Sequence, residues 1–253
     1  AIAVFTATVM ANISTQLLDV PFAGIAALAF GFAFRTACGL FNGLLITRLR
    51  MPPFIVTLGT LSIFFALNLY VSGSATVLGN NMHDILTLPG EPLEFMGTRV
   101  SLGAIGMLMM YAIMMFILKY TGWGRHVYAT GDDPESARLS GVRVDRVLLS
   151  VYAAAGLIYA FGAWFLIGRV GAATPQALQL ANLESITAVV IGGTSLFGGR
   201  GGVLGSLIGA IIVGTAVNGL TIAGLDPLWQ RFSIGVLVIV AVALDQWIRR
   251  VGK

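Results

Sequence analysis

Four stretches of this chain run for the length of a membrane crossing without a charged residue, and nothing else in it restricts the fold as strongly. They are residues 54–71, 100–118, 147–168 and 202–225, each close to the roughly 20 residues a helix needs to cross the hydrocarbon core. Lipid offers no partner for backbone N–H and C=O groups, so a spanning segment is a helix or part of a closed barrel. Strict period-two alternation is absent from these runs, which excludes an outer-membrane barrel. The expected fold class is therefore all-α, a polytopic transmembrane helical bundle. Further spans are expected at 20–47, interrupted by Arg35, at 180–198, interrupted by Glu184, and at 228–247, with Gln230 and Arg231 at its start. The opening run from Ala1 toward Leu18 suits part of another span. Composition agrees: 57% hydrophobic and 10% charged residues with a mean hydropathy of +0.89, far from the roughly 25% charged residues of soluble domains. Membrane lipid is the expected surrounding, and no nucleic-acid partner is expected.

Between two of the apolar runs lies a polar, charge-dense island, residues 119–146. Inside it is the punctuation of one short helix. Asp132 or Asp133 suits the N-cap, Pro134 the first helical position and Gly141 a left-handed stop, predicting a helix from Pro134 to Ser140. So short a helix is marginal alone in water and needs a surface to dock on. From spacing alone, a solvated connector and a docking element both fit.

Lys and Arg near span ends are retained on the cytoplasmic side. Alternating the loops puts Arg48, Arg50, Lys119, Arg125, Arg138, Arg143, Arg146, Arg200, Arg249, Arg250 and Lys253 on one side, and only Arg99 and Arg169 on the other. The island at 119–146 and the C-terminus are thus expected in the cytoplasm, and the loop 72–98 outside. The same parity treats 180–198 as a crossing rather than a re-entrant segment. The first residue is Ala1, with no initiator Met and no signal-peptide pattern, so an N-terminal truncation is expected. The single Cys38 cannot form an intrachain disulfide.

No segment has the Gly-Lys-Ser/Thr ending of a phosphate-cradling loop; the glycine-rich run from Gly192 to Gly202 contains no lysine. No His, Cys and carboxylate cluster has metal-ligand spacing, and no nucleophile elbow or zinc-protease motif is present. No metal, no catalytic residue and no enzyme activity are expected. Gly201, Gly205 and Gly209 recur at every fourth position, which predicts a stripe that admits another backbone, either within the chain or at a subunit interface. Asn42, Asn68 and Asn218 fall at membrane depth, where polar groups are costly; either a hydroxylated solute or a neighbouring helix would satisfy them. Arg35 and Glu184 fit an ion pair or water-facing positions, and Arg231 fits snorkelling to the interface. Asn42-Gly-Leu44 and Asn218-Gly-Leu220 form a faint internal echo.

Five stretches, Asn42 to Ser62, Gly124 to Gly131, Ala137 to Val142, Ala188 to Gly202 and Asn218 to Leu220, together resemble the inner-membrane permease subunits of bacterial ABC importers for monosaccharides, the ribose, xylose and fructose permease family. Members of that family begin with further spans and an Asp-Leu-Ser-Val-Gly-like motif not found here. The resemblance implies a single transmembrane permease domain over 1–253, paired with a second permease copy or paralogue. It implies two cytoplasmic ATP-binding subunits, which carry the ATP and Mg, and a periplasmic sugar-binding protein. No cofactor is expected on this chain itself. It makes Asp133, Pro134, Glu135, Ser136, Ala137, Arg138, Leu139, Ser140 and Gly141 a helix that couples to the ATPase, and lets Asn42, Asn68 and Asn218 line a weakly binding translocation path. Importers of nucleosides, signalling furanoses or branched-chain amino acids are the alternatives within that class. An ion-coupled secondary transporter using Glu184 and Arg35 is the alternative outside it.

Overall fold

The computed structural model describes residues 2–16, 22–95, 97–177, 181–196, 198–224 and 226–251. Side chains of Arg231, Arg249 and Arg250, and all of Lys253, lie outside the described residues. The chain is a helical, multi-pass membrane protein. Among the described residues five helices, Ala23–Arg48, Pro53–Ser72, Leu102–Tyr120, Val144–Val170 and Val203–Ile222, are long and apolar enough to cross a bilayer. The α-helices and strands of the described residues are, in order, α1 (Ile2–Gln16), α2 (Ala23–Arg48), α3 (Pro53–Ser72), β1 (Val77–Leu78), α4 (Asp84–Thr87), β2 (Pro92–Phe95), β3 (Thr98–Ser101), α5 (Leu102–Tyr120), α6 (Gly122–Asp132), α7 (Pro134–Leu139), α8 (Val144–Val170), β4 (Ala172–Ala173), α9 (Ala181–Ile191), α10 (Val203–Ile222) and α11 (Pro227–Val251).

These elements form two compact units, one built from residues 1–109 and 145–178, the other from 110–144 and 179–253. In the first, Ala7, Met10 and Ala11 of α1, Ala27 of α2, and Ala163 and Ile167 of α8 belong to a buried core that also takes in Met82, Leu86 and Ala173. Small residues let the helices close up. Gly39 lies against the Tyr152 carbonyl and Gly156, and Gly156 in turn against the backbone of Arg35 and Thr36, so α2 and α8 meet backbone to backbone. The connection from Gly73 to Ser101 folds back over this unit. β1 pairs antiparallel with β4, Val77 opposite Ala173, and β2 with β3 forms a hairpin. The Trp164 indole donates to the Ile85 carbonyl at 2.9 Å, and the Ser14 hydroxyl accepts from His83 N at 2.8 Å, which fixes α4 against α1 and α8.

In the second unit, α9 and α10 form an antiparallel hairpin. Gly205 lies against the backbone of Gly192, and Gly209 against the Ala188 carbonyl. α9 has 11 residues, ~16 Å at 1.5 Å per residue, so it does not cross a core ~30 Å thick. Of the expected span at 180–198 the helix itself occupies only Ala181–Ile191, because Gly192 and Gly193 stop it, so a crossing here needs non-helical backbone as well. Gly193 has a φ of +78°, and its N–H bonds back to the Val190 carbonyl at 2.9 Å.

Candidate functional site

The polar island folds into two short helices joined at one capping residue. α6 starts at Thr121, whose hydroxyl accepts from Gly124 N at 3.2 Å, and Gly124 is small because it passes the Leu118 carbonyl at the end of α5. Asp133 ends α6 and caps α7. Its Oδ1 accepts from Glu135 N at 2.9 Å and Ser136 N at 3.2 Å, and its Oδ2 accepts from the Ser136 hydroxyl at 2.6 Å. That set of donors, the Ser136 hydroxyl foremost, holds the Asp133 carboxyl below the usual carboxylate range. Of the two aspartates open as caps, Asp133 takes the role. Pro134 occupies the first turn, and α7 stops one residue earlier than expected, at Leu139, with Ser140 as its cap. Gly141 then takes a φ of +87°, and Val142 N reaches the Ala137 carbonyl at 3.0 Å, a left-handed terminus closed by two backbone bonds.

α7 has one inward position and an exposed remainder. Ala137 is buried, whereas Leu139 is 87% exposed, an apolar side chain held out on a polar segment. Asp133, Pro134, Glu135, Ser136, Arg138, Ser140 and Gly141 are also exposed. Such a surface suits a partner that covers Leu139 and meets charge around it.

Behind α7, the C-terminal end of α6 is clasped by the glycine-rich turn that links α9 to α10. The Tyr128 hydroxyl donates to the Gly201 carbonyl at 3.0 Å. Gly131 lies against Gly199 N, Gly198 against the Gly131 carbonyl, and Gly199 against Asp132. The turn is tied internally by Thr194 N to the Val189 carbonyl at 2.8 Å and Ser195 N to the Arg200 carbonyl at 2.9 Å, and the Thr194 and Ser206 hydroxyls are 3.3 Å apart. Gly198, Gly199 and Gly201 take φ values of +96°, +71° and +137°, conformations that a side chain would strain. This places Gly201 in the turn, ahead of the first residue of α10, so the expected helical stripe is corrected to Gly205 and Gly209 alone. Both pack against α9 of the same chain.

The three asparagines do not share an environment. Asn42 and Asn68 are buried in the first unit, Asn68 donating to the Pro175 carbonyl at 2.9 Å, and the Oδ1 atoms of both lack a partner. Asn218 is exposed on α10, so the two Asn-Gly-Leu echoes serve different surroundings. Arg35 is neither ion-paired among the described residues nor water-facing. It is 5% exposed, with its guanidinium carbon 4.8 Å from the centroid of the Tyr159 ring. Glu184 is half-buried in the first turn of α9, where a carboxylate favours the helix dipole. Among the described residues no cluster of three metal-ligating side chains occurs. Sequence reasoning missed the clasp, although Tyr128 and Gly131 lie in one quoted stretch and Gly198 to Gly201 in another; only folding puts them together.

Residues 1–242 match the family described as the branched-chain amino acid transport system permease component. The chain is 47% identical over 225 residues to the fructose import permease protein of Rhizobium meliloti, covering 88% of this chain and 62% of that protein. It is 41% identical over 207 residues to the ribose import permease protein of Bacillus subtilis, covering 81% and 63%. Against the galactose/methyl galactoside import permease protein of Escherichia coli it is 38% identical over 210 residues, covering 82% and 62%. The chain thus spans somewhat less than two thirds of the length of these relatives. No solved structure matches it.

Proposed function

This chain belongs to the family of branched-chain amino acid transport system permease components, and on that premise we propose that it is the transmembrane subunit of an ATP-driven monosaccharide importer. The observation that carries the proposal is 47% identity, sustained over 88% of the chain, to a fructose import permease. The ribose and galactose permeases support the same solute class. The family description favours a second reading, import of a branched-chain amino acid.

In this proposal the chain is a transport component, and separate cytoplasmic subunits bind ATP and Mg and hydrolyse the nucleotide. The protein sits in the bacterial inner membrane with residues 119–146 and the C-terminus in the cytoplasm. A periplasmic sugar-binding protein delivers the solute, and a second copy or a paralogue completes the pathway. α7 docks on an ATP-binding subunit through Leu139 and its polar rim, from Asp133 to Gly141. Movement of that subunit then passes along α6 into the clasp at Tyr128, Gly131, Gly198 and Gly199, and so to the α9–α10 hairpin. Backbone-to-backbone contacts suit such a relay, because packed glycines leave no flexible side chain to absorb the displacement. Asn42 and Asn68, buried in the first unit, offer neutral hydrogen-bonding groups to a hydroxylated solute, and binding along the path stays weak because selection rests on the binding protein.

The test is ATPase activity and solute uptake by the full-length complex in liposomes, supplied with binding protein loaded with fructose, ribose, galactose or leucine. Stimulation and uptake with a monosaccharide are expected. They should be lost, with the bundle still inserted, when Glu135, Ala137 and Leu139 are replaced by Gly. Uptake of leucine alone would establish the amino-acid reading, and uptake that persists without ATP would sink both in favour of a secondary transporter.

A further inference from the structure

α2 has 26 residues, and Arg35 stands at its thirteenth position, ~18 Å from one end and ~20 Å from the other at 1.5 Å per residue. On a helix that crosses the bilayer this is the midplane, where a charge is most costly. The guanidinium is packed over Tyr159, its Nε has no hydrogen-bond partner, and no carboxylate of a described residue pairs with it. A stacked ring offsets part of the desolvation but leaves the positive charge uncancelled. Asn42 lies two helical turns along the same buried stripe, and its Oδ1 also lacks a donor. Buried polar groups left unsatisfied call for an account, and no ion pair among the described residues supplies one here.

We propose that Arg35 is a fixed positive charge that keeps the solute pathway closed to protons and metal cations while neutral, hydroxylated solutes pass. The proposal rests on the assignment of the chain as a sugar permease and adds its ionic selectivity. Any path wet enough for a polyol is wet enough for hydrated cations, and a bacterial membrane under an inside-negative potential drives them inward. A sugar carries no charge, so the barrier does not oppose it, and a buried charge acts on the path through its field without touching the solute. At ~8 Å and an effective dielectric of ~20, repulsion by one charge slows a monovalent cation about 30-fold. Burial keeps salt from screening it. Fixed positive groups exclude cations from other solute pores by the same physics.

The experiment uses the full-length permease with its ATP-binding subunits and binding protein in liposomes. It follows labelled fructose uptake together with proton influx, reported by a trapped pH dye under an inside-negative potential. Wild type should import fructose and stay proton-tight. Arg35→Gln should import within about threefold of wild type but raise proton influx during turnover by at least about tenfold, given the barrier estimated above. Arg35→Lys, which keeps the charge, should stay tight. Cys38→Asp sets a carboxylate one turn away on the same face and neutralises Arg35 without removing it, so it should leak like Arg35→Gln even where that variant fails to assemble. Proton-tight turnover in either neutralised variant, or a leak in Arg35→Lys equal to that of Arg35→Gln, overturns the proposal. Absence of sugar uptake by the wild-type complex would count against the sugar-permease assignment instead, since proton influx during ATP turnover is read whichever solute is carried.

Discussion

Gly199→Ala is the sharpest perturbation of the clasp between α6 and the α9–α10 turn. Gly199 has a φ of +71°, and a Cβ built on it would stand 2.7 Å from both Cα and Oδ1 of Asp132. The left-handed conformation alone costs an alanine ~1–2 kcal/mol. Forcing the neighbouring backbone aside adds ~1–3 kcal/mol of overpacking, so the clasped state loses ~2–5 kcal/mol by adding the two. Gly141→Ala is the matched control, because Gly141 has a φ of +87° but no atom within 4 Å of its built Cβ, leaving only the ~1–2 kcal/mol backbone cost. The difference, ~1–3 kcal/mol, corresponds to about 5- to 150-fold in the closed-to-open ratio of the clasp. Hydrogen exchange should therefore speed up at the amides of Thr194 and Ser195 in Gly199→Ala and remain near wild type in Gly141→Ala. In the reconstituted complex, solute imported per ATP should fall about tenfold or more in the first variant, with ATP hydrolysis retained. Full coupling in Gly199→Ala, with unchanged exchange, would refute the idea that movement of α7 reaches α9 and α10 through this turn.

Leu139→Ser should leave thermal unfolding of the permease unchanged, since the side chain is exposed, yet reduce copurification of the ATP-binding subunits; undiminished copurification would place the docking contact elsewhere. Asp133 has a carboxyl held below its ordinary range, so its stabilisation of α7 is complete above the unfolded carboxylate pKa and disappears as pH falls through the folded value. Exchange at Glu135 and Ser136 should accordingly accelerate only in acid below the usual carboxylate range. Asp133→Asn, which still caps but cannot titrate, should flatten that acid limb. Asn68→Ala removes the donor to the buried Pro175 carbonyl and should cost ~1–3 kcal/mol, visible as a lower midpoint in denaturant; a midpoint equal to wild type would mean the carbonyl finds another donor.

Some of this was legible without coordinates because it is local. A charge-free run long enough to span must be helical in lipid, so α3, α5, α8 and α10 follow from their residues. α7 follows from a cap at Asp132 or Asp133 with Pro134 and Gly141, whose preferences act over one turn; the structure chooses Asp133. The spacing of Gly201, Gly205 and Gly209 was legible as a pattern but not as a structure. A period of four marks a helix face only if the helix includes all three, and the turn after Gly199 delays α10 until Val203.

What the sequence determined by itself is the class of the molecule, the positions of its charge-free spans and the approximate bounds of α7, since each depends on hydrophobicity or on backbone bonds within a few residues. Tertiary structure alone decided that Gly205 and Gly209 are filled by α9 of the same chain, and that the α9–α10 turn closes on α6. It alone decided that Arg35 is buried against Tyr159 with no acid of the described residues paired with it. The last two depend on side chains meeting groups far along the chain, Tyr128 reaching Gly201 73 residues away and Arg35 reaching Tyr159. The spacing of residues along a sequence carries no record of such distances.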